Sequence, residues 1–281
     1  MPKSSSPKKD KSPKKGSKDK SPKKGSDKSS KKDKSPKKEE LTPEEQYKAP
    51  ITHVIFDLDG VILNNYRFMD KLIKKIYYPY DIHVPLSVKL KLLDKRIERI
   101  PKIVIKELGM PISKQEFMQD YDKWGPEFLK TEEVFPAVSR LLNYFQNHKI
   151  PMAVVTDFKE EHYTIKKCQH KLLFDKFSHV VCYGSDPEAK QCKPNPYIYE
   201  LAASRFVENK PNGPFNILVF EDTSDGVDAA LAAGMKVVWV PDALTDPSLH
   251  NFNKNLMVIK SLERFQPELW RLPHFNDLYA I

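Results

Sequence analysis

Cysteine is scarce in this chain and carries no pattern: Cys168, Cys182 and Cys192 are the three present, with neither a C-x-x-C pair nor disulfide-dense spacing. That argues against a disulfide-stapled fold and for a reducing compartment, cytoplasmic or nuclear. Also lacking is any run near the roughly 18 consecutive apolar residues that a membrane span needs, and no apolar stretch follows the Lys, Ser and Pro-rich start. Neither secretion nor membrane contact is expected. Residues 1–40 hold almost no Val, Ile, Leu or aromatic side chain, so nothing there offsets the entropy of ordering a backbone.

What that first segment does hold is charge. It has sixteen Lys against six acids, net +10, so residues 41–281 sum to +9 minus +10, or −1. The basic character belongs to the arm and not to the body, and gives no reason to expect that the body binds nucleic acid. Ser-Pro-Lys-Lys recurs at Ser6, Ser12, Ser21 and Ser35 at uneven intervals, the mark of a low-complexity arm and not of a solenoid. Three readings of the arm stay open. Its lysines can contact nucleic acid or another polyanion through residues 1–40, it can serve as a solubilising extension, or its Ser-Pro sites can take phosphates that erode the charge. A tail over residues 1–48 is the expectation.

The body reads differently. Short β-branched runs recur at 52–56, 152–156, 179–182, 216–220 and 236–240, with helical patterns at 137–148, 196–206 and 226–233 between them. This alternation predicts an α/β fold with a parallel sheet covered on both faces. Residues 66–134 break it with several amphipathic helices and no convincing strand, and are expected to form an inserted helical cap. In sheets of this kind, sites open beyond the carboxyl ends of the strands. Asp57, Asp59, Thr156 and Asp222 all fall there.

Each candidate signal is ambiguous alone. Asp57-Leu58-Asp59 places two carboxylates after an apolar run, with Gly60 to let the chain turn, but such pairs also serve as turn formers and caps. Glu221-Asp222 precedes an Ala-rich helix and reads alone as N-terminal helix charge; with Asp57 it makes a hard-oxygen cluster suited to Mg²⁺. Lys193, in Cys192-Lys193-Pro194-Asn195-Pro196, and Thr156, closing its run, could equally be a solvated lysine and a helix cap. It is the order of acid pair, hydroxyl, lysine and acid pair, each at a strand end or helix start, that chance does not readily produce.

That order resembles the four motifs of haloacid dehalogenase-type phosphatases. The likeness spans about residues 50–275: Val54-Ile55-Phe56-Asp57-Leu58-Asp59-Gly60, Ser185-Asp186-Pro187-Glu188, Lys193-Pro194, Phe220-Glu221-Asp222, the run from Ala229 to Met235 and Phe265-Gln266-Pro267-Glu268 are similar to the pseudouridine-5′-phosphatase subgroup. The resemblance implies a doubly wound, Rossmann-like core over 49–65 and 135–281 with the cap over 66–134. It implies Asp57 as nucleophile and Asp59 as general acid and base, with Thr156, the backbone at Asp157 and Lys193 on the phosphoryl group. Mg²⁺ would sit on Asp57, the Asp59 carbonyl and Asp222, supported by Glu221.

The chain departs from its relatives around this set. Leu63-Asn64-Asn65-Tyr66 stands where a Leu-Asp-Thr-Glu string is usual, and Asp157 replaces Ser or Asn beside the phosphate site. Cys192 replaces a Gly and Asp225 an Asn, and in the cap loop Leu93-Asp94-Lys95-Arg96 an aspartate takes the place of Gly. The expectation is a Mg²⁺-dependent phosphomonoester hydrolase acting on a small phosphorylated metabolite, with pseudouridine 5′-phosphate first among nucleotide and sugar phosphates. A phosphosugar mutase, or a catalytically weakened protein whose arm binds nucleic acid, are the alternatives.

Overall fold

Neighbouring residues along the central strands are apolar on both sides, and the sheet they form is covered on both faces. The computed structural model describes residues 41–92, 95–246, 248, 250 and 253–275; the arm 1–40, with Leu93 and Asp94 of the cap loop, lies outside the described residues. In chain order the body begins with α1 (Pro43–Lys48), β1 (His53–Asp57) and the cap helices α2 (Asn65–Tyr77), α3 (Leu86–Leu92), α4 (Ile100–Leu108) and α5 (Lys114–Leu129). There follow α6 (Val138–Asn147), β2 (Met152–Thr156), α7 (Glu160–Gln169), α8 (Lys171–Phe174) and β3 (His179–Cys182). The chain continues through α9 (Tyr197–Ser204), β4 (Ile217–Glu221), α10 (Ser224–Ala232), β5 (Lys236–Trp239) and β6 (Leu256–Val258).

Where the sequence suggests a tail to residue 48, the structure starts the body earlier, at α1. Thr42 and Glu45 form a reciprocal capping box, the Glu45 carboxylate accepting from the Thr42 N–H at 2.8 Å, and Pro43 occupies the first turn. Arg271 donates to the Lys48 carbonyl at 2.6 Å and Lys236 to that of Ala49 at 2.7 Å, tying the helix to the body.

The sheet order is β3-β2-β1-β4-β5-β6, every neighbouring pair parallel. Five of these strands are legible in the sequence; β6 has three residues, too few to show a period. Val54 and Phe56 pack on one side with α6 and the later segment bearing Leu262 and Phe265. Ile55 packs on the other with Ile198 and Ala202 of α9 and Val227 of α10. Strand order reverses between β1 and β4, and a crevice opens at their carboxyl ends.

The cap has its own apolar centre, including Phe68, Leu72, Val104 and Phe117. Its two linkers run side by side. Leu63 and Val134 form an antiparallel bridge, Asn64 N–H donates to the Glu133 carbonyl at 2.9 Å, and Phe135 N–H to that of Ile62 at 3.0 Å.

Candidate active site

Three strands end in the residues that build the site: Asp57 closes β1, Thr156 closes β2 and Glu221 closes β4. Asp59 and Asp222 follow at once. Gly60 is required where the chain turns, because its φ is +92° and a Cβ there would lie 1.9 Å from Asp222 Oδ2. Lys193 arrives from the loop before α9. Its buried ammonium donates to Asp57 Oδ1 and Glu221 Oε1, both at 2.5 Å, while the other Asp57 oxygen accepts the Asp59 N–H at 2.9 Å.

Glu221 is saturated. One oxygen also accepts the Tyr199 hydroxyl at 2.6 Å, and the other accepts the N–H groups of Asp222 and Thr223, each at 2.9 Å. Burial acts to raise its pKa, but the Lys193 charge and these donors bring it below the ordinary glutamate value. Asp57 goes the other way: burial pushes it well up, Lys193 opposing and Glu221 adding to the rise. Asp222 is likewise held well above the usual carboxylate range, by burial and then by its neighbours Glu221 and Asp57.

Asp59 and Thr156 meet in a way the sequence does not suggest. The Thr156 hydroxyl donates to Asp59 Oδ2 at 2.7 Å and accepts the Phe158 N–H at 3.1 Å, so its bonds are made to the acid and to its own turn. The remaining Asp59 oxygen pairs with Lys166, a fully buried lysine of α7 that also lies 3.0 Å from Glu132. Sequence reading passes over Lys166 and Glu132. A signal exists: α7 buries Tyr163 and Lys166, three apart on one face, and a lysine at that inner position calls for an anion.

The residues fit a magnesium ion. Asp57, Glu221 and Asp222 are all buried beside Lys193, so that three carboxyl groups, which could not all ionise cheaply, face one ammonium. Asp222 Oδ2 accepts the Tyr66 hydroxyl at 2.9 Å, but its Oδ1 is buried with no hydrogen-bond partner. A hard cation relieves both conditions. Among the described residues no group of three His, Cys, Asp or Glu side chains forms a metal site; two carboxylates completed by a backbone carbonyl and water would suit Mg²⁺.

Two of the departures acquire partners. Tyr66 of the altered Leu63-Asn64-Asn65-Tyr66 string reaches Asp222, while Asn64 and Asn65 each bury an unpartnered amide oxygen. Asp157 faces Arg96 of the cap loop at 3.6 Å, and that guanidinium lies over the Tyr183 ring, 4.5 Å from its centre. Above Asp57 and Asp59 opens a cleft of about 460 Å³ between core and cap, its cap side including Met69, Ile73, Val84, Ile97, Met118 and Tyr121.

Residues 54–240 match the family model of haloacid dehalogenase-like hydrolases. The chain is 36% identical over 239 residues to (DL)-glycerol-3-phosphatase 1, mitochondrial, of Arabidopsis thaliana, covering 84% of this chain and 79% of that one. It is 33% identical over 227 residues to a Drosophila melanogaster protein named probable pseudouridine-5′-phosphatase, covering 81% of this chain and 96% of that one. Among solved structures, a β-phosphoglucomutase from Clostridium difficile superposes with a TM-score of 0.60 at 20% identity, covering 82% of this chain and all of its own, a likeness of fold.

Proposed function

The chain belongs to the haloacid dehalogenase-like hydrolase family and is a phosphatase, and from this we propose that it hydrolyses a small phosphomonoester through an aspartyl-phosphate on Asp57. The observation that carries this is the setting of Asp57: it is buried at the end of β1 beneath the cleft, one oxygen on the Lys193 ammonium and the other on the Asp59 N–H. The Asp57 carboxylate attacks phosphorus as the bond to the leaving oxygen breaks, and Asp59 gives that oxygen a proton. Asp59 then takes a proton from water as water attacks the aspartyl-phosphate, freeing phosphate and restoring Asp57. Lys193 balances charge on the transferring group. Asp57, Asp222 and the Asp59 carbonyl would hold Mg²⁺, which would supply Lewis-acid neutralisation of the repulsion between carboxylate and phosphate dianion.

For substrate we place pseudouridine 5′-phosphate first. The apolar and aromatic lining, Met118 and Tyr121 of the cap with Phe158 of the loop after β2, suits a ring system better than a bare polyol, and the cleft of about 460 Å³ has room for one. Glycerol 3-phosphate is the second reading, supported by the 36% identity to the plant protein. A panel of phosphorylated metabolites incubated with full-length protein in Mg²⁺ tests both. Phosphate release is expected to stop on chelation and in Asp57→Asn; release undiminished in that variant, or isomerised sugar phosphate without net release, refutes the reading. The lysines of residues 1–40 are placed in it as a polyanion contact. A salt-titrated DNA-binding comparison of the full chain with residues 41–281 tests them, equal binding by both excluding the arm.

A further inference from the structure

Asp59 is held at both carboxylate oxygens, by Thr156 on one and Lys166 on the other. A group that must reach a leaving oxygen cannot keep both clamps, so one of them has to yield. Thr156 sits at the end of β2 and is completely buried, its hydroxyl also engaged by the Phe158 N–H. Lys166 differs in having a second anion within reach, Glu132 at 3.0 Å. The Phe158 ring also lies 3.9 Å from its ammonium. A buried ammonium abandoned by its only counter-ion would be strongly destabilised; with Glu132 in place, Lys166 can release Asp59 and remain paired. Glu132 belongs to the linker by which the cap returns to the core, next to Glu133, whose carbonyl accepts the Asn64 N–H at 2.9 Å.

We propose that Lys166 is a positioning residue for Asp59: after turnover Asp59 gives its proton to solvent and parks as a carboxylate on Lys166, and when it takes a proton back from solvent and turns to the substrate, Lys166 passes to Glu132. Through Glu132, the placement of the proposed acid and base is tied to the cap linker. This rests on the phosphatase reading above, in which Asp59 protonates the leaving oxygen. Nothing in the order of motifs points to it; the geometry of α7 does.

The test uses leaving groups. A nitrophenolate departs without a proton, whereas an alkoxide needs one, so kcat/KM on 4-nitrophenyl phosphate and on an alkyl phosphate separates proton delivery from everything else. The alkyl probe is whichever of glycerol 3-phosphate and pseudouridine 5′-phosphate the wild type turns over faster. Lys166→Met is expected to lower kcat/KM about 10²-fold for the alkyl probe and less than about threefold for the aryl one. Glu132→Gln is expected to show the same asymmetry to a smaller degree. Because Lys166→Met leaves two buried carboxylates facing one another, the double variant Lys166→Met with Glu132→Gln is included, and the same asymmetry is expected there. Equal losses on both substrates, or none, overturn the proposal while leaving the phosphatase reading intact. A wild type inactive on both probes, or an active Asp57→Asn, refutes the phosphatase reading itself and the positioning role with it.

Discussion

Two buried lysines organise this molecule, each set between two carboxylates: Lys193 between Asp57 and Glu221, and Lys166 between Asp59 and Glu132. They differ in how completely the outer carboxylate is satisfied. Glu221 ends a central strand and takes bonds from Tyr199, Asp222 and Thr223 besides the lysine. Glu132 lies in a linker, and its buried oxygens have no hydrogen-bond partner apart from the ion pair. The protonation directions follow: Glu221 is held below its ordinary value, whereas burial, outweighing Lys166, pushes Glu132 up to about 7. A saturated centre fixes geometry, and an unsaturated one can change partner. The Lys193 centre holds the proposed nucleophile still, and the Lys166 centre suits a group that must move.

The contrast breaks most visibly at Lys193. Replacing it by Met leaves Asp57, Glu221 and Asp222 facing one another with no ammonium between them, and removes the charge proposed to balance the phosphoryl group. Hydrolysis of 4-nitrophenyl phosphate is expected to fall at least about 10³-fold, a loss far beyond the threefold limit set for Lys166→Met on the same aryl substrate. Less damaging, but aimed at the same rigid centre, is Gly226→Ala. A Cβ at Gly226 would lie 1.8 Å from Glu221 Oε1, a contact that neither the strand end nor α10 can relieve without displacing the carboxylate. Chemical denaturation should show a loss of about 3 kcal/mol of unfolding free energy, in the range of an overpacked core.

Much of the Lys193 centre is legible in the sequence, and little of the Lys166 centre. Asp57, Thr156 and Glu221 are readable because each ends a β-branched run, and a parallel sheet sends such ends to one edge. The alternation of strands and helices carries the core, apart from the three-residue β6. Lys166 and Glu132 meet through tertiary packing alone: one lies on a helix whose visible composition is polar, the other in a linker, and no local period connects them. Thr156 is legible as a site residue, but its hydroxyl turns to Asp59, a partner 97 positions away. The substitution at Asp157 likewise looks isolated in the sequence, whereas in the fold it faces Arg96 across the cleft. Position along the chain reveals which strand end a residue occupies; which way its donor points depends on neighbours that only the fold supplies.

The smallest expected effect bears on the outer carboxylates alone. A carboxyl whose pKa is raised in the folded state binds its proton more tightly there than in the unfolded chain, so its contribution to stability is full below the unfolded value and is lost as pH rises toward the folded one. For Glu132 the window runs from its ordinary 4.5 to about 7. Glu132→Gln cannot titrate there, while every other shifted group is common to both proteins. The difference in unfolding free energy between variant and wild type should therefore move in favour of the variant between those limits, by about 1–2 kcal/mol. Glu221, whose value is lowered, contributes stability above its ordinary pKa that is lost as pH falls, so Glu221→Gln should lose its disadvantage toward acid pH. Urea titrations of the three proteins measure both slopes, the Glu132 one between pH 4.5 and about 7 and the Glu221 one below pH 4.5. Parallel slopes for the two variants would mean that the two centres are equally satisfied, and would remove the physical ground for treating Lys166 as the one that lets go.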